Sequence, residues 1–339
     1  MNVRAIPLAA TLLLPLAASA ATERLSVLCS ADMEWCQLMK NQFEAESGVK
    51  VSMIRKSAGE AYAKIRAEAA NPKSDIWWGG TGDPHLQAAA EGLTEVYRSP
   101  ALARQQPWAQ KQAEAAGYRT TGIYLGILGI AYNDTVLKSK NVPAPQCWKD
   151  LAKPVYKGEV EMANPNSSGA AYNALSTIVQ LFGEDDAFAF LGKVGQNVSK
   201  YPNAGVAPGE DVGRGEAGVA VGFMHDLMKL TNAGFPVKIV APCEGTGYEI
   251  GSMSIVKGAK NMAAAKKFYE FALRQDVQGN AVKAQAYQIP SNPGAALPPG
   301  APRLETIKTI NYDFAKYGAA ETRKRLLGRW STEIYAAGR

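Results

Sequence analysis

Residues 24–80, "RLSVLCSADMEWCQLMKNQFEAESGVKVSMIRKSAGEAYAKIRAEAANPKSDIWWGG", decide the fold of this chain. Three short apolar runs alternate with two stretches whose apolar residues recur at helical spacing; Gly48 ends the first stretch and Ser57 opens the second. The order strand, helix, strand, helix, strand with short connections is typical of a parallel sheet covered by helices. In such a sheet, the loops at the carboxyl ends of the strands form the natural crevice for a ligand.

The alternation continues to the end of the chain, and two long extended stretches interrupt it. These are "TGIYLGILGIAYN" (121–133) and "GYEIGSMSIVKGA" (247–259), and a complete α/β block separates them. A chain of 339 residues is long enough for two lobes. We therefore expect the chain to cross from one lobe to the other and back, with a ligand cleft between them. The predicted division is a signal peptide at 1–20, lobe 1 at 21–125, lobe 2 at 126–252, a return to lobe 1 at 253–290, and C-terminal helices packing on the lobes at 291–339.

The first twenty residues have the composition of an export signal. Arg4 precedes an apolar run, and Ala18-Ser19-Ala20 fits the small-residue pattern before a cleavage point. A retained membrane anchor is the alternative, but the apolar run is shorter than the roughly 20 residues that span a bilayer. The sequence therefore predicts an exported protein that resides in the periplasm.

The charges of the chain are scattered rather than clustered. The formal net charge is +6, which indicates mild attraction for an anion and gives no basic patch of the kind that binds nucleic acid. We therefore expect a small anionic ligand and no nucleic-acid partner.

The cysteine count indicates disulfides. An even number of cysteines in an exported chain predicts two bridges, although four cysteines allow three connectivities. Cys29–Cys36 is the easiest local closure, which leaves Cys147–Cys243. A metal-thiolate site is the rival interpretation, and the paired C-x-x-C spacing that it needs is missing, so no metal is expected.

Three loops place small or hydroxylated residues where a predicted helix follows a strand. Free backbone N–H groups and the positive end of the helix dipole make such helix starts suited to an anion, and small residues let a phosphate or carboxylate approach the backbone. Plain N-capping is the alternative for any one loop, because Ser and Thr are the usual caps. The loops are Ser57-Ala58-Gly59, Gly80-Thr81-Gly82 and Ser167-Ser168-Gly169-Ala170.

A polar pair follows the apolar strand "GVAVGF" (218–223). His225 and Asp226 come directly after Met224, where a parallel sheet places them at the edge of the crevice, and Glu249 lies on the second extended stretch. Carboxylates accept hydrogen bonds from hydroxyls, and an imidazole can donate or accept, so this set suits a polyol. The alternative is a capping aspartate beside an incidental histidine.

The sequence favours binding over catalysis. His85 is the other histidine, and the chain has neither the G-x-S-x-G pattern of a nucleophilic serine nor the H-E-x-x-H pattern of a zinc site. A site without a nucleophile or a set of metal ligands is expected to bind its ligand rather than to react with it, and no cofactor is implied. A secreted phosphatase that uses His225 as general acid is the enzymatic alternative.

Several motifs together resemble a known family. The segments "SDIWWGGTGDPHLQAAAEGLTEVY", "NPNSSGAAYNAL" and "GFMHD", with the signal peptide and the β-α-β-α-β start, are similar to type II periplasmic solute-binding proteins of ABC importers, in the ferric-iron-binding-like branch. The resemblance covers the mature chain. It implies a monomer of two α/β lobes, joined by two hinge strands, that closes on a ligand and presents it to a membrane permease.

The resemblance also bears on the choice of ligand. Iron-binding members carry adjacent tyrosines where this chain has Met224-His225-Asp226, and Tyr201 and Tyr248 do not replace that pair. Ferric iron prefers oxygen ligands, so the departure argues against iron.

The chain looks more like the hexose-phosphate-binding subgroup. That resemblance implies that His225, Asp226 and Glu249 hold sugar hydroxyls, with Glu244 as a competing choice for the glutamate. The phosphate would lie on residues of the three helix starts, namely Ser57, Ala58, Gly59, Thr81, Ser168, Gly169 and Ala170. The resulting prediction is a binding protein for a sugar phosphate, with a phosphonate or ferric iron as alternative ligands.

Overall fold

A computed structural model of the chain describes residues 23–336. The predicted signal peptide at 1–20 lies outside the described residues. Within residues 23–336, none of the helices combines the length and the apolar character needed to cross a bilayer.

Two neighbouring sheets share one long strand, and helices cover both. The first sheet has the strand order β2-β1-β3-β9-β4, and the second continues from β4 through β7 and β5 to β6. The elements up to the shared strand are β1 (Arg24–Cys29), α1 (Met33–Ser47), β2 (Lys50–Arg55), α2 (Ala58–Ala67), β3 (Ile76–Trp78), α3 (Gly82–Ala90), α4 (Pro107–Ala115) and β4 (Thr121–Asn133). The second sheet and its helices comprise α5 (Asp134–Ser139), β5 (Val160–Glu161), α6 (Gly169–Phe182), α7 (Glu184–Gly195), β6 (Val198–Lys200), α8 (Ala207–Arg214), β7 (Val219–Phe223), α9 (Met224–Asn232) and β8 (Val237–Val240). The chain then returns through β9 (Tyr248–Ile255), α10 (Met262–Ala272), α11 (Gln275–Gly279) and β10 (Ile289–Pro290), and ends in α12 (Phe314–Gly318), α13 (Ala320–Arg329) and a π-helical turn (Trp330–Tyr335).

The predicted β-α-β-α-β start is confirmed. Strands β1, β2 and β3 pair in parallel, and α1 and α2 connect them. Gly48 ends α1 in the left-handed conformation, with φ of 72°, which glycine adopts without strain. Ser57 caps α2, as the sequence indicates. Beyond these three strands the sheet is mixed rather than parallel, because β3 and β4 both pair with β9 in antiparallel fashion.

The two extended stretches are adjacent strands that run between the lobes. The first half of β4 pairs with β9, and its second half pairs with β7 and β8 in the other sheet. The side chains of β4 are buried at all but one position, because helices cover both faces. The predicted lobe boundaries at 125/126 and 252/253 fall inside β4 and β9, and the division of the chain at these positions stays a prediction.

Each lobe has its own hydrophobic core. The first centres on Trp35, Phe43 and Phe268, which pack between the first sheet and helices α1 and α10. The second centres on Trp148 and Tyr172. Residues of the C-terminal segment enter this second core, namely Tyr312, Tyr317, Leu326, Trp330 and Ile334. Helix α13 is therefore a packed part of the second lobe.

Both predicted cysteine pairs are disulfide-bonded. The Cα atoms of Cys29 and Cys36 are 6.0 Å apart, and those of Cys147 and Cys243 are 4.8 Å apart. The first bridge joins the end of β1 to α1. The second joins segments separated by 96 positions and encloses most of the second lobe.

Candidate ligand-binding site

A cavity of about 940 Å³ lies between the two lobes. Its walls come from the loops after β1, β2 and β3, from the starts of α6 and α9, from β9, and from one face of α13. The ten residues to which the sequence analysis assigns the sugar and the phosphate, with Glu249 as the preferred glutamate, all line this one cavity, namely Ser57, Ala58, Gly59, Thr81, Ser168, Gly169, Ala170, His225, Asp226 and Glu249. The structure thus brings together residues that are up to 192 positions apart in the chain.

Two of the three helix starts use their hydroxyl as a cap. The Ser57 hydroxyl accepts from the Glu60 backbone N–H at 3.4 Å, and the Glu60 carboxylate accepts from the Ser57 N–H at 2.9 Å. These bonds to Ser57 lower the pKa of Glu60. The Ser168 hydroxyl accepts from the Ala171 N–H at 3.2 Å. Capping and anion binding are therefore compatible at these loops, since a cap satisfies only one of the free N–H groups of a helix start.

The third helix start differs, because Thr81 makes no capping bond to α3. Its hydroxyl is buried and has no hydrogen-bond partner among residues 23–336. Gly169, the first residue of α6, lies directly against it: a Cβ added at Gly169 would be 2.5 Å from Thr81 Oγ1. The starts of α3 and α6 therefore meet across the cleft, and only glycine fits at the point of contact.

The polar triad is assembled around a glycine of the shared strand. His225 and Asp226 lie in the first turn of α9, and Glu249 lies on β9 opposite Gly126 of β4. A Cβ at Gly126 would be 2.7 Å from His225 Nδ1 and 3.1 Å from Glu249 Oε1. The His225 ring stacks on Phe223, with centroids 5.2 Å apart. Glycine at 126 therefore makes room for both side chains.

Burial sets the charge states of the triad. It lowers the pKa of His225 to about 3, and nearby Lys229 lowers it further, so the imidazole is neutral. Burial raises the pKa of Asp226 to about 7; Asp32 adds to this rise and Lys229 opposes it. Burial and the neighbouring Asp226 raise the pKa of Glu249 well above its ordinary value. The site therefore contains a neutral imidazole and two carboxyl groups. Hydrogen-bond donors of a ligand would stabilise the ionised form of these carboxyl groups.

The triad also has unused hydrogen-bonding capacity. His225 and Glu249 are each 4% exposed. His225 Nδ1 and Glu249 Oε2 have no hydrogen-bond partner in the described part of the chain. Buried polar atoms in folded proteins nearly always have a partner, so each such atom requires an explanation. A polyhydroxylated ligand supplies donors and acceptors of the kind that these atoms lack.

Sequence reasoning missed several residues of the cavity. Asp32, after β1, forms an ion pair across the cleft with Lys229 of α9, whose Nζ is 3.8 Å from Asp226 Oδ1. The Tyr124 hydroxyl accepts from the Gly80 N–H at 2.8 Å. Arg323 and Lys324 of α13 also line the cavity. Asp32 follows β1, so the expectation that ligands bind at the carboxyl ends of strands could have identified it. No pattern in the local sequence indicates that Arg323 lines the cavity.

Glu244 lies elsewhere. Its carboxylate accepts from the backbone N–H groups of Trp148 and Lys149 at 2.8 and 2.9 Å, and it does not line the cavity. His85 is a core residue that is hydrogen-bonded to Ser254 at 2.8 Å.

The adjacent tyrosine pair of iron-binding members has no counterpart among the described residues that line the cleft. Tyr201 packs on Trp330, Tyr248 packs on Phe314, and neither tyrosine lines the cavity. In the described residues one His/Cys/Asp/Glu group has metal-binding spacing, formed by Cys147, Cys243 and Glu244. Both of these cysteines are in a disulfide, so they offer no thiolate.

Comparison with known proteins agrees with this architecture. The model of a family described as bacterial extracellular solute-binding protein matches residues 71–317. The chain belongs to this family. As a solute-binding protein it captures a small molecule and does not transform it, so the prediction of a non-enzymatic protein is confirmed.

Solved structures of solute-binding proteins cover almost the whole chain. The periplasmic binding protein AfuA from Actinobacillus pleuropneumoniae, with fructose-6-phosphate bound, is 44% identical with a TM-score of 0.90, over 93% of this chain and 99% of that chain. The periplasmic binding protein P5PA is 37% identical with a TM-score of 0.88, over 92% and 99%. Iron-bound HitA from Pseudomonas aeruginosa, at 19% identity and a TM-score of 0.79 over 90% and 98%, shows the common fold. The predicted type II fold and iron-binding-like branch are confirmed.

Proposed function

We propose that this solute-binding protein captures a sugar phosphate in the periplasm and delivers it to an ABC permease. The observation that carries the proposal is the single cavity in which a His-Asp-Glu triad and three helix starts come together. The structure of AfuA with bound fructose-6-phosphate, 44% identical to this chain, supports the same choice of ligand. The predicted signal peptide at 1–20 supports export, and the family supports the permease partner.

The triad suits the sugar end of such a ligand. Asp226 and Glu249 can each accept from hydroxyl groups, and neutral His225 can donate from one ring nitrogen and accept at the other. The hydroxyls of the ligand would provide partners for His225 Nδ1 and Glu249 Oε2. Hydrogen bonds to an ionised carboxylate contribute more than neutral ones, so Asp226 in its carboxylate form adds affinity, and the triad as a whole orients the sugar.

The helix starts suit the phosphate end. The first residues of α2 and α6 and the cap residue of α3 all line the cleft, so the free N–H groups and positive dipole ends of these helix starts are candidates for binding a phosphate. Thr81 adds a hydroxyl without a partner in the described chain, and Gly169 allows close approach.

A thermal-shift experiment tests the function directly. The mature protein, stripped of ligand, is melted with hexose phosphates, free hexoses, inorganic phosphate, phosphonates or ferric citrate. A ligand that binds only the native state raises the melting temperature according to its concentration relative to Kd. We expect a clear rise with a hexose phosphate and none with the corresponding free hexose. A rise only with a phosphonate or with ferric iron would contradict the proposed ligand.

The raised pKa of Asp226 predicts a pH dependence of binding. Because this pKa is about 7, lowering the pH below 7 protonates the carboxylate, and the proton competes with the hydroxyl donors of the ligand. Affinity is therefore expected to fall as the pH falls below 7 and to level off above it. His225, with a pKa of about 3, stays neutral throughout this range.

Calorimetric titrations of the wild type and of Asp226→Asn separate this effect from titration of the ligand. The second pKa of a phosphate ester is about 6, and it affects both proteins equally. The ratio of the two affinities should therefore approach one as the pH falls below 7. A ratio that stays constant over the same range would show that Asp226 does not accept from the ligand as a carboxylate.

A further inference from the structure

Helix α13 carries three arginines, and one of them lacks the partners of the other two. Arg325 pairs with Glu184, and Arg329 pairs with Glu184, Asp185 and Glu333. Arg323 forms no ion pair with any residue of the described chain, and its Nη1 is buried without a hydrogen-bond partner. A guanidinium is always charged and has five N–H donors, so a sheltered one with donors to spare is suited to an anionic ligand.

The position of Arg323 is fixed by an aromatic ring. Its guanidinium carbon lies 4.1 Å from the ring centroid of Tyr172, which is in the first turn of α6. Arg323 lines the same cavity as Thr81, Ser168 and Gly169, and its contact with Tyr172 places it beside the first turn of α6. Stacking occupies a face of the guanidinium and leaves the N–H groups at its edge for planar recognition of an anion.

The neighbouring aspartate does not neutralise this cation. Asp83, in the first turn of α3, is buried, and its Oδ1 has no hydrogen-bond partner in the described chain. Burial raises the pKa of Asp83 to about 6, although Arg323 acts in the opposite direction. The two groups therefore interact at a distance and form no direct ion pair. A dianionic phosphate near Asp83 would need a compensating cation, which Arg323 can supply.

We propose that Arg323 binds the phosphate group of the ligand, together with the starts of α3 and α6, and that it determines selectivity for phosphorylated over free sugars. The proposal rests on the proposed function. It assigns a ligand-binding role to the C-terminal helix, which otherwise packs through Leu326 and Trp330 into the second lobe. Bound phosphate would then connect α13 to lobe 1 through Thr81.

Arg329 offers a matched control for Arg323. It lies on the same helix, and its guanidinium carbon is also 4.1 Å from an aromatic centroid, that of Phe188. Its partners are carboxylates, however, and it does not line the cavity. Arg323→Gln and Arg329→Gln therefore remove the same charge and a similar stacking contact, and only the first removes the proposed phosphate ligand.

The experiment measures Kd for a hexose phosphate, the salt dependence of Kd and the melting temperature without ligand, for the wild type and both variants. We expect Arg323→Gln to raise Kd roughly ten- to a hundredfold and to flatten its salt dependence. Arg329→Gln should leave both unchanged. Arg323→Lys, which keeps the charge but loses the planar fork, should give an intermediate Kd and serves if the glutamine variant does not fold.

The possible failures are distinguishable. If the wild type binds a hexose phosphate and Arg323→Gln binds it equally well, the role of Arg323 is wrong and the proposed function stands. A fall in melting temperature with unchanged Kd would show that Arg323 only attaches α13 to Tyr172. If the wild type does not bind a hexose phosphate at all, both proposals are overturned.

Discussion

Asp226→Ala is expected to weaken the binding of a hexose phosphate by about ten- to a hundredfold while leaving the fold intact. A carboxylate that accepts from two ligand hydroxyls contributes about 1.5–3 kcal/mol, which corresponds to this range of affinity. The change also leaves His225 and Glu249 without the carboxyl group beside them. Isothermal titration calorimetry with a hexose phosphate measures the loss.

The position of Asp226 explains why the effect should be confined to binding. Its side chain is 19% exposed; Nε2 of the neutral His225 lies at 3.6 Å, and the charged Lys229 lies at 3.8 Å. Lys229 keeps its ion pair with Asp32 in the variant. A largely buried carboxyl whose pKa is raised by burial disfavours the native state at neutral pH, because the unfolded state ionises more readily, so its loss should not lower the melting temperature.

Asp134→Ala is the matched control. Asp134 likewise lies in the first turn of a helix that directly follows a strand, and it pairs with Lys138 at 2.6 Å on the surface, outside the cavity. Both substitutions remove an acidic group from a first helical turn, so any general effect on the helix dipole is common to both. Equal affinities for the wild type and Asp226→Ala would remove Asp226 from the site. Equal losses in the two variants would indicate an effect of net charge rather than of contact.

The sequence predicted the parts of the fold that local patterns specify. Apolar runs and helical spacing located β1 to β3 with α1 and α2, and Gly48 and Ser57 gave helix ends that the structure confirms. Several short elements were not predicted, namely β6, β10, α5 and α8. Strands β6 and β10 have only two or three residues and, unlike β3, no apolar run, so only pairing with β5 and β4 defines them. The antiparallel pairing of β9 also depends on contacts between distant segments.

The sequence likewise predicted only some of the residues at the cavity. Thr81 and His225 were nominated because both follow strands, and the carboxyl ends of strands meet at a crevice. Arg323 follows no strand, and it reaches the cavity because Leu326 and Trp330 fix α13 on the second core. Lys229 is recognised as a neighbour of the cavity only from the structure, through its ion pair with Asp32, which is 197 positions away in the chain. Residues brought in by packing of one segment on another leave no pattern in the local sequence.

The second large effect expected is on stability, from removal of the Cys147–Cys243 disulfide. A bridge restricts the unfolded chain in proportion to the logarithm of the loop that it closes, and this loop spans 96 positions. The chain-entropy estimate for a loop of this size is about 4.7 kcal/mol, a large fraction of the 5–15 kcal/mol that is typical for a folded domain. The double variant Cys147→Ser/Cys243→Ser is therefore expected to unfold at a much lower denaturant concentration.

The other disulfide provides the comparison. Cys29 and Cys36 are only 7 positions apart, so the same estimate gives about 2.5 kcal/mol for their bridge. Guanidinium unfolding followed by tryptophan fluorescence reports both lobes, since Trp35 and Trp78 lie in the first core and Trp148 and Trp330 in the second. The larger loss should fall on the transition of the second lobe. A smaller loss for the long loop than for the short one would show that its unfolded chain is already restricted.

Ligand affinity distinguishes removal of the Cys147–Cys243 disulfide, which should affect stability, from Asp226→Ala, which should affect binding. Cys147 and Cys243 do not line the cavity, and Cys243 adjoins Glu244, which accepts from the Trp148 and Lys149 N–H groups. These bonds and the packing of Trp148 should hold the native position of the segment once the bridge is gone. The double variant should then bind a hexose phosphate with unchanged Kd below its unfolding temperature. A weakened Kd would mean that the bridge also sets the geometry of the second lobe at the cleft, through β9 and Glu249.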